Sequence, residues 1–587
     1  MFLWLLVWFV GLIFTGSCVR SIFFYKSLTI PDIPIQDLWY SMFIGIYQDL
    51  LAAILLLVPL ACTLLIKRNL FRITLVLTIS VVCLVTVAEV FFWNEFGGRL
   101  DRLVFHYLRH PIEVLVFLED QFLLSIFMLP FFAVVYLIYK FYIRFFPSIH
   151  TRQEKLFAVI IIGLSTCIVI WHVPVRHSDF RPANELAENG YLSVLRAARV
   201  DETQWNKNYD DLSNQLKLYT EKKSGPKLDV KHVILIIEES FAGSIWNQKE
   251  LRKKYLPQMS ALAEEGVLFD NIYATGSRTT RGLEAILNGY PPLPGIAVNQ
   301  RSGFQKLPSL ARVLHQSEFL PIFIYGGWPN FSNFQEYWKE SGFVEQRNRN
   351  DFEEETFQTS WGVADEYLFS KILTEMDTLT AVHEHIFLTT LTVSFHRPYD
   401  FPPNRIQFPS NERKAEYAMA YADWALGEFY EKAKKTEWFN DTLFVIAADH
   451  APRIGGSADI PMDYYRVPLL FLAPNKLPPK IVSHAGSLMS VPKTILGLLD
   501  IIDTENFYGS NLFVSDDNFV PVEHDYHVGL FENDRLTVLL YGGGISEWIY
   551  QDERLLPTVP DLNRAALVST FFSSAHKRFY SEQSPTQ

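Results

Sequence analysis

The chain has 587 residues and a formal net charge of −12. That length calls for two or more domains, and the acidic balance argues against nucleic acid as a partner. The four cysteines, Cys18, Cys62, Cys83 and Cys167, all fall in or beside apolar segments, so no disulfide framework supports the polar remainder.

Up to about residue 173, long apolar runs dominate. Five of them, Phe2–Val19, Ser41–Ile66, Leu70–Phe92, Phe122–Phe145 and Leu156–Trp171, approach the roughly 20 residues that a bilayer crossing needs. A five-helix transmembrane domain over 1–173 is expected. The basic residues set its orientation. Lys67, Arg68 and Arg72 follow the second segment, and Lys140, Arg144, Arg152 and Lys155 flank the link between the fourth and fifth, so both links should be cytoplasmic. Five crossings then put the amino terminus inside and everything after Trp171 outside. The first segment lacks a basic leader and reads as an uncleaved anchor.

A polar connector follows over 174–229, with helical patterns at Ala183–Ala198 and Trp205–Thr220. Beyond it, apolar runs of strand length alternate with helical patterns. Strands are expected at His232–Ile237, Phe319–Tyr325, Ile386–Val393, Thr442–Ala448 and Val467–Leu472. Helices are expected at Leu256–Glu265, stopped by a Gly266 cap, at Glu412–Lys434 and at Val491–Leu499. This alternation predicts an α/β domain with a mostly parallel central sheet over 230–515, and residues 516–587 read as an extension packed on it.

The chemistry gathers at the ends of two of these strands. Thr442–Ala448 runs into Asp449-His450, and His232–Ile237 runs into Glu238-Glu239. Fully apolar runs are central strands, and ligands of such sheets sit beyond the strands' carboxyl ends. A carboxylate beside an imidazole, facing a second acid, suits a divalent metal. The predicted ligands are Glu239, Asp449 and His450 with a Thr oxygen, a donor set that fits Mn²⁺, Mg²⁺ or Zn²⁺. The Thr comes from Ala274-Thr275-Gly276-Ser277-Arg278-Thr279-Thr280-Arg281-Gly282, a hydroxyl-rich turn that opens a helix and so favours an anion. Metal coordination turns such a hydroxyl into a nucleophile. Arg278 and Arg281 are candidate phosphate binders, because guanidinium forks match phosphate oxygens. His484, His524 and His527 read as structural or surface residues.

Ile237-Glu238-Glu239-Ser240-Phe241, the Gly276-x-x-Thr279 turn, Trp361-Gly362-Val363, Ser394-Phe395-His396-Arg397-Pro398-Tyr399 and Ala448-Asp449-His450 together resemble lipoteichoic acid synthase-type proteins, membrane-anchored members of the sulfatase and alkaline phosphatase superfamily. The resemblance covers about residues 230–500. It implies transfer of a phosphoglycerol-type head group from a phospholipid donor to an envelope glycan or lipid acceptor, through a phosphorylated Thr and one metal ion, usually Mn²⁺. It places the enzyme as a multi-pass protein in a bacterial cell membrane with the catalytic domain outside. It selects Thr279 over Thr280 as nucleophile and Glu239 over Glu238 as ligand, and it puts His396 near the transferred phosphate in an electrostatic or general-acid role. The family's His-Gly-Asp and Trp-Asn-Arg stretches are replaced here by Tyr325-Gly326-Gly327-Trp328-Pro329-Asn330-Phe331-Ser332-Asn333-Phe334, so the metal centre carries over and the substrate does not. The other readings are a sulfatase modified at Ser277, a phosphoethanolamine transferase, and a non-catalytic lipid-binding sensor.

Overall fold

The computed structural model describes residues 2–101, 152–171, 176–199 and 225–581, apart from short breaks, and scattered residues between 104 and 140. The chain divides into two units, residues 1–201 with 455–458, and residues 202–454 with 459–587.

Among the described residues of the first unit, three helical stretches are long and apolar enough to cross a bilayer: Trp8–Ser27, Ile35–Thr63 and Ile73–Asn94. The second is interrupted at Leu57, just before Pro59, whose missing N–H cannot continue the helical ladder. Leu156–Trp171 is also helical, within Arg152–Trp171, but its apolar part, Lys155–Ile170, is shorter. The expected crossing at Phe122–Phe145 lies largely outside the described residues, as does the helix expected at Trp205–Thr220. Among the described residues, three of the five expected spans are therefore long and apolar enough to cross. The Ala183–Ala198 pattern is two helices, Arg181–Ala187 and Gly190–Ala197, because Asn189 breaks the run and caps the second by accepting from the Tyr191 N–H at 3.0 Å.

This unit buries charged side chains beside its apolar clusters and exposes large apolar ones. Phe14 and Phe43 are 69 % and 70 % exposed, as lipid-facing residues should be, whereas Arg20, Asp49 and Glu89 are buried. The Arg20 guanidinium donates to Asp49 at 2.6 Å, to the Gly45 carbonyl at 2.9 Å, and to the carbonyls of Leu186 and Glu188 beyond the spans. Asn189 donates to the same Asp49 oxygen at 2.8 Å. Arg99 pairs with Glu89 at 2.5 Å and donates to the Glu185 carbonyl. Unpaired, each of these charges would be costly in hydrocarbon.

The second unit is built on a sheet of nine strands. They are β1 His232–Glu238, β2 Val267–Tyr273, β3 Leu320–Tyr325, β4 Glu345–Arg347, β5 Ile386–Leu391, β6 Thr442–Ala448, β7 Arg466–Leu472, β8 Lys480–Val482 and β9 Gly486–Ser487. The order is β4-β3-β5-β1-β6-β7-β2-β8, with β9 also beside β2. All pairs are parallel except those made by β7 with β6 and β2. The described part of the β6–β7 link contains only the short turn Met462–Tyr464 and no crossover helix, so the chain returns antiparallel. The strand β2 has no counterpart among the expected elements, since Asp270-Asn271 interrupts its apolar run. Gly266 follows the Pro257–Glu265 helix with extended backbone rather than as a left-handed cap; a Cβ there would lie 2.5 Å from the Phe471 carbonyl of β7. The long helix starts at Ala415, later than expected, because Arg413 is left-handed.

The extension over 516–587 has its own architecture. β10 Val520–His524, β11 His527–Glu532, β12 Arg535–Leu539, β13 Ile545–Gln551 and β14 Arg554–Thr558 form an antiparallel sheet, covered by the helix Leu562–Ser581 through Val568, Phe572 and Ala575. His524 meets the Tyr465 hydroxyl and His527 accepts from the Tyr541 N–H, both structural contacts.

A Cβ at Gly45 would fall 2.1 Å from the Arg20 guanidinium, whereas one at Gly11 meets nothing within 4 Å. Gly45→Leu is therefore expected to lower the melting temperature of the detergent-solubilised protein by several degrees, with Gly11→Ala unchanged. Equal melting of both variants would show that the Arg20–Asp49 packing contributes nothing.

Candidate metal centre

Strand pairing alone brings the acids together. β1 and β6 run in parallel register with Glu238 opposite Ala448, and the Asp449 N–H donates to the Glu238 carbonyl at 3.3 Å. The residue after each strand, Glu239 and Asp449, therefore emerges at the same edge. Successive side chains of a strand point to opposite faces, so Glu238 diverges from Glu239. Its carboxylate accepts from Thr392 at 3.1 Å, while the Thr392 hydroxyl accepts from the Glu239 N–H at 2.9 Å.

Ser240 closes the turn. Its left-handed backbone (φ 51°) aims its N–H at an Asp449 oxygen at 2.8 Å, and its hydroxyl donates to Glu239 at 2.6 Å. His450 shares its Nδ1 with the Ala451 carbonyl at 2.8 Å, which leaves Nε2 facing the acids, 3.5 Å from both Glu239 and Asp449. One donor atom from each of Glu239, Asp449 and His450 lies within 4.8 Å of the others, and all three residues are buried. Thr279 opens the helix Thr279–Asn288 and donates from its hydroxyl to Glu239 at 3.0 Å. The close approach of that helix requires Gly282, where a Cβ would lie 2.5 Å from the Asp449 Cβ.

Burial raises the Asp449 carboxyl to about 7, with Glu239 adding like-charge repulsion. Burial would raise Glu239 too, but its hydrogen bond to His450 and the charges of His450 and His396 outweigh that and hold it low. Burial would lower His450, yet Asp449 and Glu239 push it up to about 9. Two acids at this separation, with one Asp449 oxygen buried and without a hydrogen-bond partner, need a positive charge beside them. Carboxylate oxygens with one imidazole suit a hard or borderline divalent cation. The residues present fit such an ion.

The other residues singled out from the sequence divide into two groups. His396 lies close enough to influence Glu239, and the Trp361 ring stacks on it at 3.5 Å between centroids. Arg278 is the residue before Thr279 and is half-buried. Arg281 goes elsewhere: its buried guanidinium pairs with Glu284 at 2.7 Å and Glu523 at 3.4 Å and donates to the carbonyls of Leu293 and Gly295. Its expected role on phosphate gives way to a structural one. The Thr280 carbonyl accepts from Asn299, and its hydroxyl makes no hydrogen bond to the described residues.

Sequence reasoning missed Thr392, Ser240 and Asp365. Asp365 accepts from the N–H groups of Val393 and Ser394, at 3.0 and 3.1 Å, and so fixes the loop that carries His396. Its place four residues after Trp361 gave no signal of that contact.

Residues 231–501 match the family model described as Sulfatase. A crystal structure of a protein in the alkaline phosphatase superfamily from Vibrio parahaemolyticus is 27 % identical and superposes with a TM-score of 0.59, over 66 % of this chain and 96 % of that one. The lipoteichoic acid synthase LtaP from Listeria monocytogenes shares the fold, with a TM-score of 0.54 at 21 % identity over 65 % of this chain and 97 % of its own. Phosphoglycerol transferase I of Xanthomonas campestris pv. campestris is 24 % identical over 303 residues, which are 49 % of this chain and 43 % of that protein. The Salmonella paratyphi B protein of the same name is 24 % identical over 33 % of this chain and 27 % of its own length. The chain thus spans less than half the length of these two transferases. Within its second unit, residues 231–501 thus match the Sulfatase model, the fold is shared with LtaP, and the sequence is similar to phosphoglycerol transferase I.

Proposed function

We propose that the protein is a membrane-anchored phosphotransferase that moves a phosphoglycerol-type head group from a phospholipid to an envelope glycan or lipid acceptor. The observation that carries this reading is the Thr279 hydroxyl, hydrogen-bonded at 3.0 Å to a member of the buried Glu239, Asp449, His450 set. In this reading the protein crosses the bacterial cell membrane several times and works on its outer face. The membrane helices hold the site near lipid head groups and raise their effective concentration.

Glu239, Asp449 and His450 would hold one divalent cation, Mn²⁺ by family resemblance, with Mg²⁺ and Zn²⁺ compatible with the same donors. When bound, such an ion lowers the pKa of a hydroxyl beside it. The chain's own residues do the rest. Glu239 orients the Thr279 hydroxyl, whose proton passes to solvent. The Thr279 oxygen attacks phosphorus and the bond from phosphorus to the lipid alcohol breaks. His396 gives the leaving diacylglycerol its proton, and Arg278 faces the phosphate charge. An acceptor hydroxyl, giving its proton to His396, then attacks the same phosphorus; the bond to the Thr279 oxygen breaks, Thr279 regains a proton from solvent, and the acceptor carries off the head group.

Thr279→Ala is expected to lower diacylglycerol release from fluorescent phosphatidylglycerol with Mn²⁺ by roughly a thousandfold or more, with Thr280→Ala within a few fold of the parent. Equal loss in both variants removes Thr279 as the sole nucleophile.

Metal binding should also depend on pH. His450 is pushed up to about 9 in the metal-free protein, so a cation must displace its proton at neutral pH. Mn²⁺ affinity, measured by calorimetry, should rise about tenfold per pH unit near pH 8, where His450 alone gives up a proton, and more steeply toward pH 6, where Asp449 gives one up too. A flat profile would mean that His450 is not a ligand.

A further inference from the structure

The segment from Trp361 to Asp365 grips the loop after β5 at two places. At one end, an Asp365 oxygen accepts from the Val393 and Ser394 N–H groups, and the Asp365 N–H donates to the Ser394 hydroxyl at 3.0 Å. At the other, the Trp361 indole N–H donates to the Arg397 carbonyl. His396 lies between these anchors, its ring stacked on the Trp361 ring with 29° between the planes.

The gripping segment is itself held. The Trp361 N–H donates to the Thr359 hydroxyl at 3.1 Å, and the Val363 N–H to the Gly326 carbonyl, just past β3, at 3.0 Å. A Cβ at Gly362 would lie 2.5 Å from that same carbonyl oxygen, so the approach needs a residue without a side chain. Phe331 meets the indole edge-on at 5.6 Å. The Trp361 ring is thus a fixed wall against which the half-buried His396 rests.

The Arg397 carbonyl serves both rings, since His396 Nδ1 also lies 3.3 Å from it. A carbonyl oxygen only accepts, so Nδ1 carries a hydrogen there, and Nε2 is the nitrogen that gains and loses the mobile proton. The face of an indole attracts a cation. The stack therefore favours the imidazolium, the form that has a proton to give.

We propose that Trp361 is the positioning residue for His396: its ring face and indole N–H hold the imidazolium with Nδ1 on the Arg397 carbonyl and Nε2 turned to the leaving oxygen. This rests on the phosphotransferase reading and adds to it the proton-donating atom and the residue that sets it. As the bond from phosphorus to the lipid alcohol breaks, the Nε2–H bond breaks too, the proton goes to the departing oxygen, and His396 is left neutral.

The test uses the full chain in detergent with Mn²⁺. Release is compared from phosphatidylglycerol, from a glycerol phosphate ester of hexanol and from one of p-nitrophenol. The first two alcohols need a proton to depart, whereas nitrophenolate leaves without one. Trp361→Ala should slow release of both alcohols about a hundredfold, the size of a general-acid contribution, and keep nitrophenolate release within about threefold of the parent. Trp361→Phe, which keeps a ring face, should restore most of the loss. In a His396→Ala background, Trp361→Ala should add less than about twofold, because it acts through that ring. Should Trp361→Ala not fold, Trp361→Leu takes its place, with nitrophenolate release reporting an intact centre. Unchanged alcohol release, equal loss on all the esters, or a loss that persists without His396 overturns the positioning role and leaves the transferase reading standing. Cleavage of both synthetic esters without diacylglycerol release sinks the lipid donor, while the pair of esters still decides Trp361. A parent that cleaves none of them overturns both.

Discussion

Two buried carboxylates forced to the same point at the edge of a sheet are the constraint around which the second unit is organised. Glu239 and Asp449 follow adjacent parallel strands in fixed register, so neither can leave without breaking β1 or β6. Their mutual repulsion in a poorly solvated place has to be offset by protons, by His450 or by a cation. Much of the neighbouring detail serves that geometry. Ser240 adopts a left-handed backbone to bring an N–H onto Asp449, position 282 lacks a side chain so that a helix can reach the same point, and Thr392 ties the Glu239 backbone to the Glu238 carboxylate.

The strands that build this edge were the most legible part of the sequence. Thr442–Ala448 is legible at its true bounds, and His232–Ile237 falls one residue short, because a strand buried on both faces leaves an unbroken apolar run. The outer strands were less legible. β2 carries two polar residues in its middle, and the antiparallel run of β7 depends on what the preceding link lacks. The first three strands after residue 516 are buried at consecutive positions rather than alternating, and the sequence reads there only as an extension.

At the site, adjacency in sequence made Asp449 and His450 plain. Thr279 needed the likeness to a known family, since Thr275 and Thr280 share its turn. Arg281 shows where such reading stops. An arginine three residues past a candidate anion site looks the same in sequence whether it faces a cleft or the interior. The fold decides the matter by gathering Glu284, the Leu293 and Gly295 carbonyls and the distant Glu523 around it. The gap between five expected crossings and three observed long ones has another source, since the fourth lies largely outside the described residues and the fifth is a helix of borderline apolar length.

The first unit buries a few paired charges among its apolar clusters and carries exposed hydrocarbon at its rim. The Arg20 guanidinium spans two helices and reaches the carbonyls that end a third. The leading helix is therefore not an interchangeable tether. A generic apolar anchor grafted in its place would strand Asp49 in lipid without its cation and leave the carbonyls of Leu186 and Glu188 without their donor. Truncated or fusion versions of this protein inherit that debt wherever the graft is made.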